Sequence, residues 1–219
     1  MMMQNWFEKW LSSFDTSSRE LCCRQTLTSP AFLRHAITMS VRTQRGCLTL
    51  QSPRMTPDGL EVSLHTCPRA LLRELCHVFP GVDLGACLAV PTSQKADMDL
   101  VAIGDTVETE KDKLLNSFAT FAQGLCQQIQ EAGFWADYID PCSGLPMLSG
   151  GNKVYSEVEG MQLLLQYRVM NAGNCKVLLH PQWGSAVYPA SLFCNAPSDL
   201  VQRLLEERLA PMVAPVPAS

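Results

Sequence analysis

Gly133-Phe134-Trp135-Ala136-Asp137-Tyr138-Ile139-Asp140-Pro141-Cys142-Ser143-Gly144 is the stretch from which the rest of the chain is best read. Side chains alternate along a strand, so Phe134, Ala136 and Tyr138 share one side and Trp135, Asp137 and Ile139 the other. Both sides are bulky, which predicts a central strand covered on both faces. Pro141 suits the second position of a turn and Gly144 can supply a positive φ beyond it, so the strand stops at Asp140. Immediately upstream, Leu114, Leu115, Phe118, Ala122, Leu125 and Ile129 recur at spacings of three and four. They give one apolar face to a helix over 109–132, with Thr109 as its N-terminal cap and Gly133 at the left-handed position after its end.

Working outward, Leu60, Val62 and Leu64 alternate with Glu61, Ser63 and His65 and predict the half-buried strand that opens the folded part. Pro68 starts a helix with Leu71, Leu72, Leu75, Cys76 and Phe79 on one face, and Pro80-Gly81 ends it. Residues 84–90 and 98–103 read as short strands around a polar turn at 92–97. Residues 145–160 read as a long loop. Strands are expected at 161–170 and 175–180, joined by the turn Asn171-Ala172-Gly173-Asn174, and again at 186–194, where Pro189 favours an edge or a bulge. Asn195 is positioned to cap a last helix that ends before Pro211. This order predicts a single α+β domain with a mostly antiparallel sheet and flanking helices over 58–210. Residues 1–57 read as a low-order basic tail and 211–219 as a disordered one.

The 219 residues carry ten cysteines and a net charge of -4. Residues 1–46 hold six basic against three acidic side chains, and the remainder eleven against eighteen. An acidic body has no electrostatic footprint for nucleic acid. No run of about eighteen apolar residues is present to span a bilayer. The cysteines fall inside expected helices and strands with no Cys-x-x-Cys pair, which predicts reduced thiols and no structural metal site. Between 21 and 57 there is no acid, and Arg24, Arg34, Arg42, Arg45 and Arg54 resemble a mitochondrial transit composition, against which Glu8, Asp15 and Glu20 stand. The expected location is the cytoplasm, with a mitochondrial pool. Trp6, Trp10 and Phe14 recur every four residues, the mark of a short helix.

Motifs for catalysis are missing: no Gly-x-Ser-x-Gly elbow, no phosphate loop, no Gly-x-Gly-x-x-Gly and no His-Glu-x-x-His. Asp137 and Asp140 are three apart on a strand and face opposite sides, so Asp140 is expected to cap the turn. Cys175 and His180, five apart, also face apart. His35, His65 and His77 read as surface or satisfied core histidines. Cys22-Cys23 is a candidate reactive pair only in a basic, ordered setting.

Residues 131–141, Glu-Ala-Gly-Phe-Trp-Ala-Asp-Tyr-Ile-Asp-Pro, with Ser143-Gly144, resemble the cblD family, the methylmalonic aciduria and homocystinuria type D protein. Cys67-Pro68, Phe79-Pro80, Thr92-x-x-Lys95 before Asp97-Met98, Cys175-Lys176-Val177, His180, Trp183-Gly184, Ser191 and Phe193 follow in the family's order. The resemblance runs from about 60 to 197 and fits a diverged member. It implies a nitroreductase-like α+β fold without flavin and a non-enzymatic adaptor that pairs with a cblC-like cobalamin-processing protein. Such an adaptor routes cobalamin to methionine synthase and methylmalonyl-CoA mutase. No cofactor is expected to bind tightly to the chain alone, cobalamin being contacted in the complex. In the family a Gly-Cys-Cys-Lys turn supplies the thiolate that ligates cobalt; here it reads Gly173-Asn174-Cys175-Lys176. Asn174 replaces the ligating cysteine and Cys175 is the nearby thiol, so these two are the candidate cofactor-binding residues. Leu163, Leu164 and Leu165 stand where the family has charged or aromatic residues. Two other readings remain open: a thiol-dependent reductase or dealkylase using Cys175, and an interaction module without a cobalamin link.

Overall fold

A computed structural model of the protein describes residues 46–173 and 175–210. The expectations for the N-terminal tail, including its targeting character, the Trp6/Trp10/Phe14 helix, His35 and Cys22-Cys23, lie outside the described residues. So do Asn174 and the 211–219 tail.

The sheet starts upstream of residue 58: β1, Thr49–Met55, pairs antiparallel with β2, Leu60–Thr66. Part of the stretch grouped with the tail is therefore sheet. Its only apolar residues are Leu50 and Met55, too few to announce a buried strand. After β2, Pro68 leads into α1, Arg69–Val78, and the chain continues into β3, Leu88–Lys95. Thr92, Ser93 and Gln94, expected in a turn, are buried in β3, where Gln94 Nε2 donates to the Leu114 carbonyl (2.8 Å) and Thr92 Oγ1 to the Ala190 carbonyl (3.1 Å). Tertiary partners satisfy polar atoms that the local sequence assigns to water. Residues 98–103 form no strand, and Val101 and Ile103 are exposed.

Helix α2, Asp105–Glu131, begins a turn earlier than expected, because Asp105 and Glu108 favour the positive end of the helix dipole. Thr109 is no cap; its hydroxyl donates back to the Asp105 carbonyl. The other end is as read: Gly133 has φ 87°, and the amides of Gly133 and Phe134 close on the carbonyls of Gln130 and Ile129.

Strand β4 covers only Ala136–Tyr138. The sheet order is β1-β2-β3-β7-β4, every pairing antiparallel, so the motif strand is an edge strand and β7, Val187–Cys194, lies between β3 and β4. The edge is closed by the following loop. Asp140 N donates to Leu145 O (2.9 Å) and Met147 N to Tyr138 O (3.0 Å), which hides the unpaired edge from other chains. Pro189 is tolerated in an interior strand because β4 pairs only with Leu192–Cys194 and leaves that flank of β7 free.

The alternation read from the motif holds. Phe134, Ala136 and Tyr138 join the core under α2 and the last helix α4, Ser198–Leu209, with Phe118, Leu125, Ile129, Val201 and Leu205. Trp135 and Ile139 join the opposite core with Leu71, Leu75, Phe79, Tyr155 and Phe193. Helices thus cover both faces of the sheet. Asn195 does not cap α4; its side chain accepts from Trp135 N (2.9 Å) and ties β4 to the end of β7.

Between the motif and β7 the expected strand at 161–170 divides into α3, Glu157–Leu164, and β5, Arg168–Ala172. Strand β6, Cys175–Leu179, pairs with β5 in a separate two-stranded sheet, as the Asn171–Asn174 turn chemistry requires.

Candidate functional site

The β5–β6 hairpin is the element that carries the candidate residues. Its register runs from Arg168 opposite Leu179 to Ala172 opposite Cys175, with Gly173 following β5 at the turn. Asn174 and the Cys175 side chain lie outside the described residues. Lys176 beside them is exposed and reaches Glu159 of α3 (2.9 Å).

A buried network grips the base of the hairpin. His180 closes a short turn with Gly184 through two backbone hydrogen bonds. Its Nδ1 accepts from the amides of Gln182 (3.2 Å) and Trp183 (3.3 Å), which makes Nε2 the protonated nitrogen. That Nε2–H donates to Glu61 Oε1 at 3.1 Å, and the Tyr167 hydroxyl donates to the same oxygen at 3.0 Å. The imidazole stacks on Trp183 (3.8 Å, 15°) and meets Tyr167 edge-on (5.0 Å). Burial, then the Glu61 charge, pushes the Tyr167 hydroxyl well above its ordinary range, so it stays a donor. Glu61 belongs to β2, and the network therefore bolts the hairpin to the main sheet. Met161, Tyr167, Leu178 and Val187 pack beneath it as an apolar cushion. A cavity of about 330 Å³ opens at this base, lined by Gln166, Tyr167, Arg168, Leu179, His180, Pro181 and Gly184. Gln166 holds φ 58°, a left-handed conformation uncommon outside glycine, as the chain turns from α3 into β5.

The remaining candidates take structural roles. Asp137 is fully buried and accepts from the amides of Tyr138, Met147, Leu148 and Ser149 and from the Ser149 hydroxyl. Asp140 caps the turn, accepting from Cys142 N, Ser143 N and Ser143 Oγ. The two do not form an acid/base pair. His65 is a satisfied core histidine between Thr49 Oγ1 (3.2 Å) and Ser63 Oγ (2.9 Å), with burial lowering its pKa to about 4. Exposed His77 donates from Nδ1 to the Arg73 carbonyl. Burial raises the thiols of Cys47, Cys126, Cys142 and Cys194; at Cys87 contact with Cys67 is the larger cause. Such thiols are poor initiating nucleophiles, since the first attack needs the thiolate. Among the described residues no group of three or more His, Cys, Asp or Glu side chains is placed to hold a metal ion. No described helix is long and apolar enough to cross a membrane.

Spacing along the chain sets His180 beside Cys175 alone and gives no sign of its partners Glu61 and Tyr167. These residues are 119 and 106 positions apart from Glu61 in one direction, so only the folded sheet brings them together.

Residues 8–205 match the family described as "Methylmalonic aciduria and homocystinuria type D protein". The chain belongs to that family. Its type D relatives include the "Cobalamin trafficking protein CblD" of Rattus norvegicus, Mus musculus and Homo sapiens, each 33% identical over 141 residues. The aligned part is 64% of this chain and 48% of each relative, so the chain spans about half the length of the curated CblD proteins it matches. In this type D family member the motif strand, the hairpin and the base network all fall inside the matched residues.

Proposed function

We propose that the chain acts as a non-enzymatic adaptor in intracellular cobalamin trafficking. In this reading it binds a cblC-like cobalamin-processing protein through the β5–β6 hairpin and passes the cobalamin cargo towards methionine synthase and methylmalonyl-CoA mutase, in the cytoplasm and in mitochondria. Family membership and the printed function of its relatives support the pathway. The observation that carries the site is the hairpin itself, a two-stranded sheet outside the main sheet, fixed at its base by Glu61, Tyr167 and His180. Rigid presentation of a short tip lowers the ordering entropy of docking. The test is retention of cobalamin-loaded cblC protein on the immobilised chain. A complex at micromolar concentration that weakens when residues 171–176 are replaced by a shorter turn supports the reading. No complex, or one indifferent to the turn, overturns it.

A further inference from the structure

Three cysteines stand side by side just outside the ends of three neighbouring strands, Cys47 before β1, Cys67 after β2 and Cys87 before β3. Thr49 of β1 lies opposite His65 of β2, and Thr66 N donates to Leu48 O, so the same register sets Cys47 opposite Cys67. Thr66 lies opposite Leu88 of β3, and the next pair is Cys67 and Cys87, joined by Cys67 N donating to Cys87 O at 3.2 Å. Directly opposed residues of an antiparallel pair share a face. All three belong to the core under α1. Within the row one pair is in contact: the Cys67 and Cys87 sulfurs are 3.7 Å apart. The Cys47 thiol is turned instead to the carbonyls of Thr66 (3.4 Å) and Leu164 (3.9 Å).

We propose that Cys67 and Cys87 are a redox modification site, converted to a reversible disulfide by a hydroperoxide. Directly opposed residues of an antiparallel pair have Cα atoms about 4.5–5.5 Å apart, inside the window that a disulfide bridges without backbone movement. Both residues are buried, and Cys67, at 8% exposure against 4% for Cys87, is the less enclosed one, so the first attack is assigned to it. Its thiolate attacks one peroxide oxygen; the S–O bond forms, the O–O bond breaks, and hydroxide or alkoxide leaves. The Cys87 sulfur then attacks the Cys67 sulfenic sulfur; the S–S bond forms, the S–O bond breaks, and hydroxide leaves with the Cys87 proton as water. For hydrogen peroxide the balance is two thiols and one peroxide giving one disulfide and two waters. The bridge closes a loop that contains the whole of α1 and fixes its start to β3, so it stabilises the fold by restricting the unfolded chain.

Full-length protein exposed to hydrogen peroxide, then unfolded, alkylated without reductant and digested with trypsin, tests this. The expected product joins peptide 55–69 to peptide 74–95, two hydrogens lighter than the separate thiols, with fragmentation placing the link at Cys87 rather than Cys76. It should form faster in folded than in urea-unfolded protein, raise the melting temperature and disappear with dithiothreitol. Cys67 and Cys87 still fully alkylated after other thiols have oxidised, or a first link at another pair, overturns the proposal. Cys87→Ala should let the Cys67 sulfenic acid accumulate as a dimedone adduct; a folded variant without that adduct also overturns it. Should the variant not fold, the wild-type rate comparison decides alone.

Discussion

At the scale of single residues, Asp137 shows how a carboxylate can be buried without a cation. Three of its donors, the amides of Met147, Leu148 and Ser149, come from the loop that covers β4, so the side chain substitutes for a neighbouring strand. A buried donor left without an acceptor costs about 1–3 kcal/mol, so Asp137→Ala should lose about 3 kcal/mol or more, and Asp137→Asn less because one oxygen remains. Urea unfolding reads this directly; equal losses for the two variants would deny the multiple-acceptor role. Trp135, by contrast, is only partly buried, packing edge-on against Phe79 at 4.8 Å. Full truncation of a core aromatic costs about 3–5 kcal/mol, and Trp135→Ala should fall at or below the bottom of that range. Asn174 follows from the proposed function. Asn174→Cys restores the thiol that the resembling family uses, and should change the visible absorption of cobalamin in the complex with cblC protein while Asn174→Ser does not. Coincident spectra from all three proteins in an intact complex would remove residue 174 from the cobalt.

At the scale of elements, the hairpin and the main sheet are separate hydrogen-bonded units joined by the His180 network, which gives a prediction about local opening. His180→Ala removes a donor to Glu61 and a ring stacked on Trp183. Amide hydrogen exchange over 168–179 should quicken while β2, β3 and β7 stay protected, since regions with few apolar contacts open first. Uniform acceleration would show that His180 supports the whole fold instead. The same elements show which signals sequence carries. Helix α2 and the two faces of β4 were legible because period alone decides them once both sides are bulky. Helix α3 covers residues expected half in a loop and half in a strand, although Ser156 and Glu159 have capping spacing, and the Ser156 side chain does accept from Glu159 N (3.4 Å). Its apolar run Met161-Gln162-Leu163-Leu164-Leu165 is too short for period to separate helix from strand. Buried Thr92, Ser93 and Gln94 read locally as a turn, because the partners of Thr92 on β7 and of Gln94 on α2 are invisible in local composition. The base network was illegible for the same reason, while the hairpin tip was found by its turn residues.

At the scale of the whole molecule, the enclosed carboxyl of half-buried Glu157 and the buried His65 ring set how stability should follow pH. The Glu157 carboxyl sits in the first turn of α3, accepts from Ser191 Oγ (2.6 Å) and has its other oxygen enclosed without a partner. The helix dipole favours its charged form by about 0.3–1 kcal/mol, but desolvation is larger and lifts its pKa from 4.5 to about 8. The folded state therefore keeps a proton that the unfolded chain has released, and stability falls as pH rises from 4.5 to 8. His65 acts in the other direction. Burial lowers its pKa from 6.5 to about 4, so the unfolded chain gains a proton first and stability falls as pH drops through that window. One proton corresponds to about 1.4 kcal/mol per pH unit, so the two effects cancel between 4.5 and 6.5 and leave a plateau. Of these two groups only Glu157 still titrates above 6.5, and about 2 kcal/mol should be lost to it by pH 8. Glu74, raised first by burial, shifts stability in the same direction as Glu157. Urea unfolding from pH 5 to 9 should show the plateau and then the decline. Glu157→Gln keeps an acceptor for Ser191 and should flatten most of that decline, making the variant more stable than wild type at pH 8.5. Parallel curves for the two proteins would mean that the Glu157 carboxyl ionises in the fold as readily as in water, and that the closed core around α3 is open to solvent.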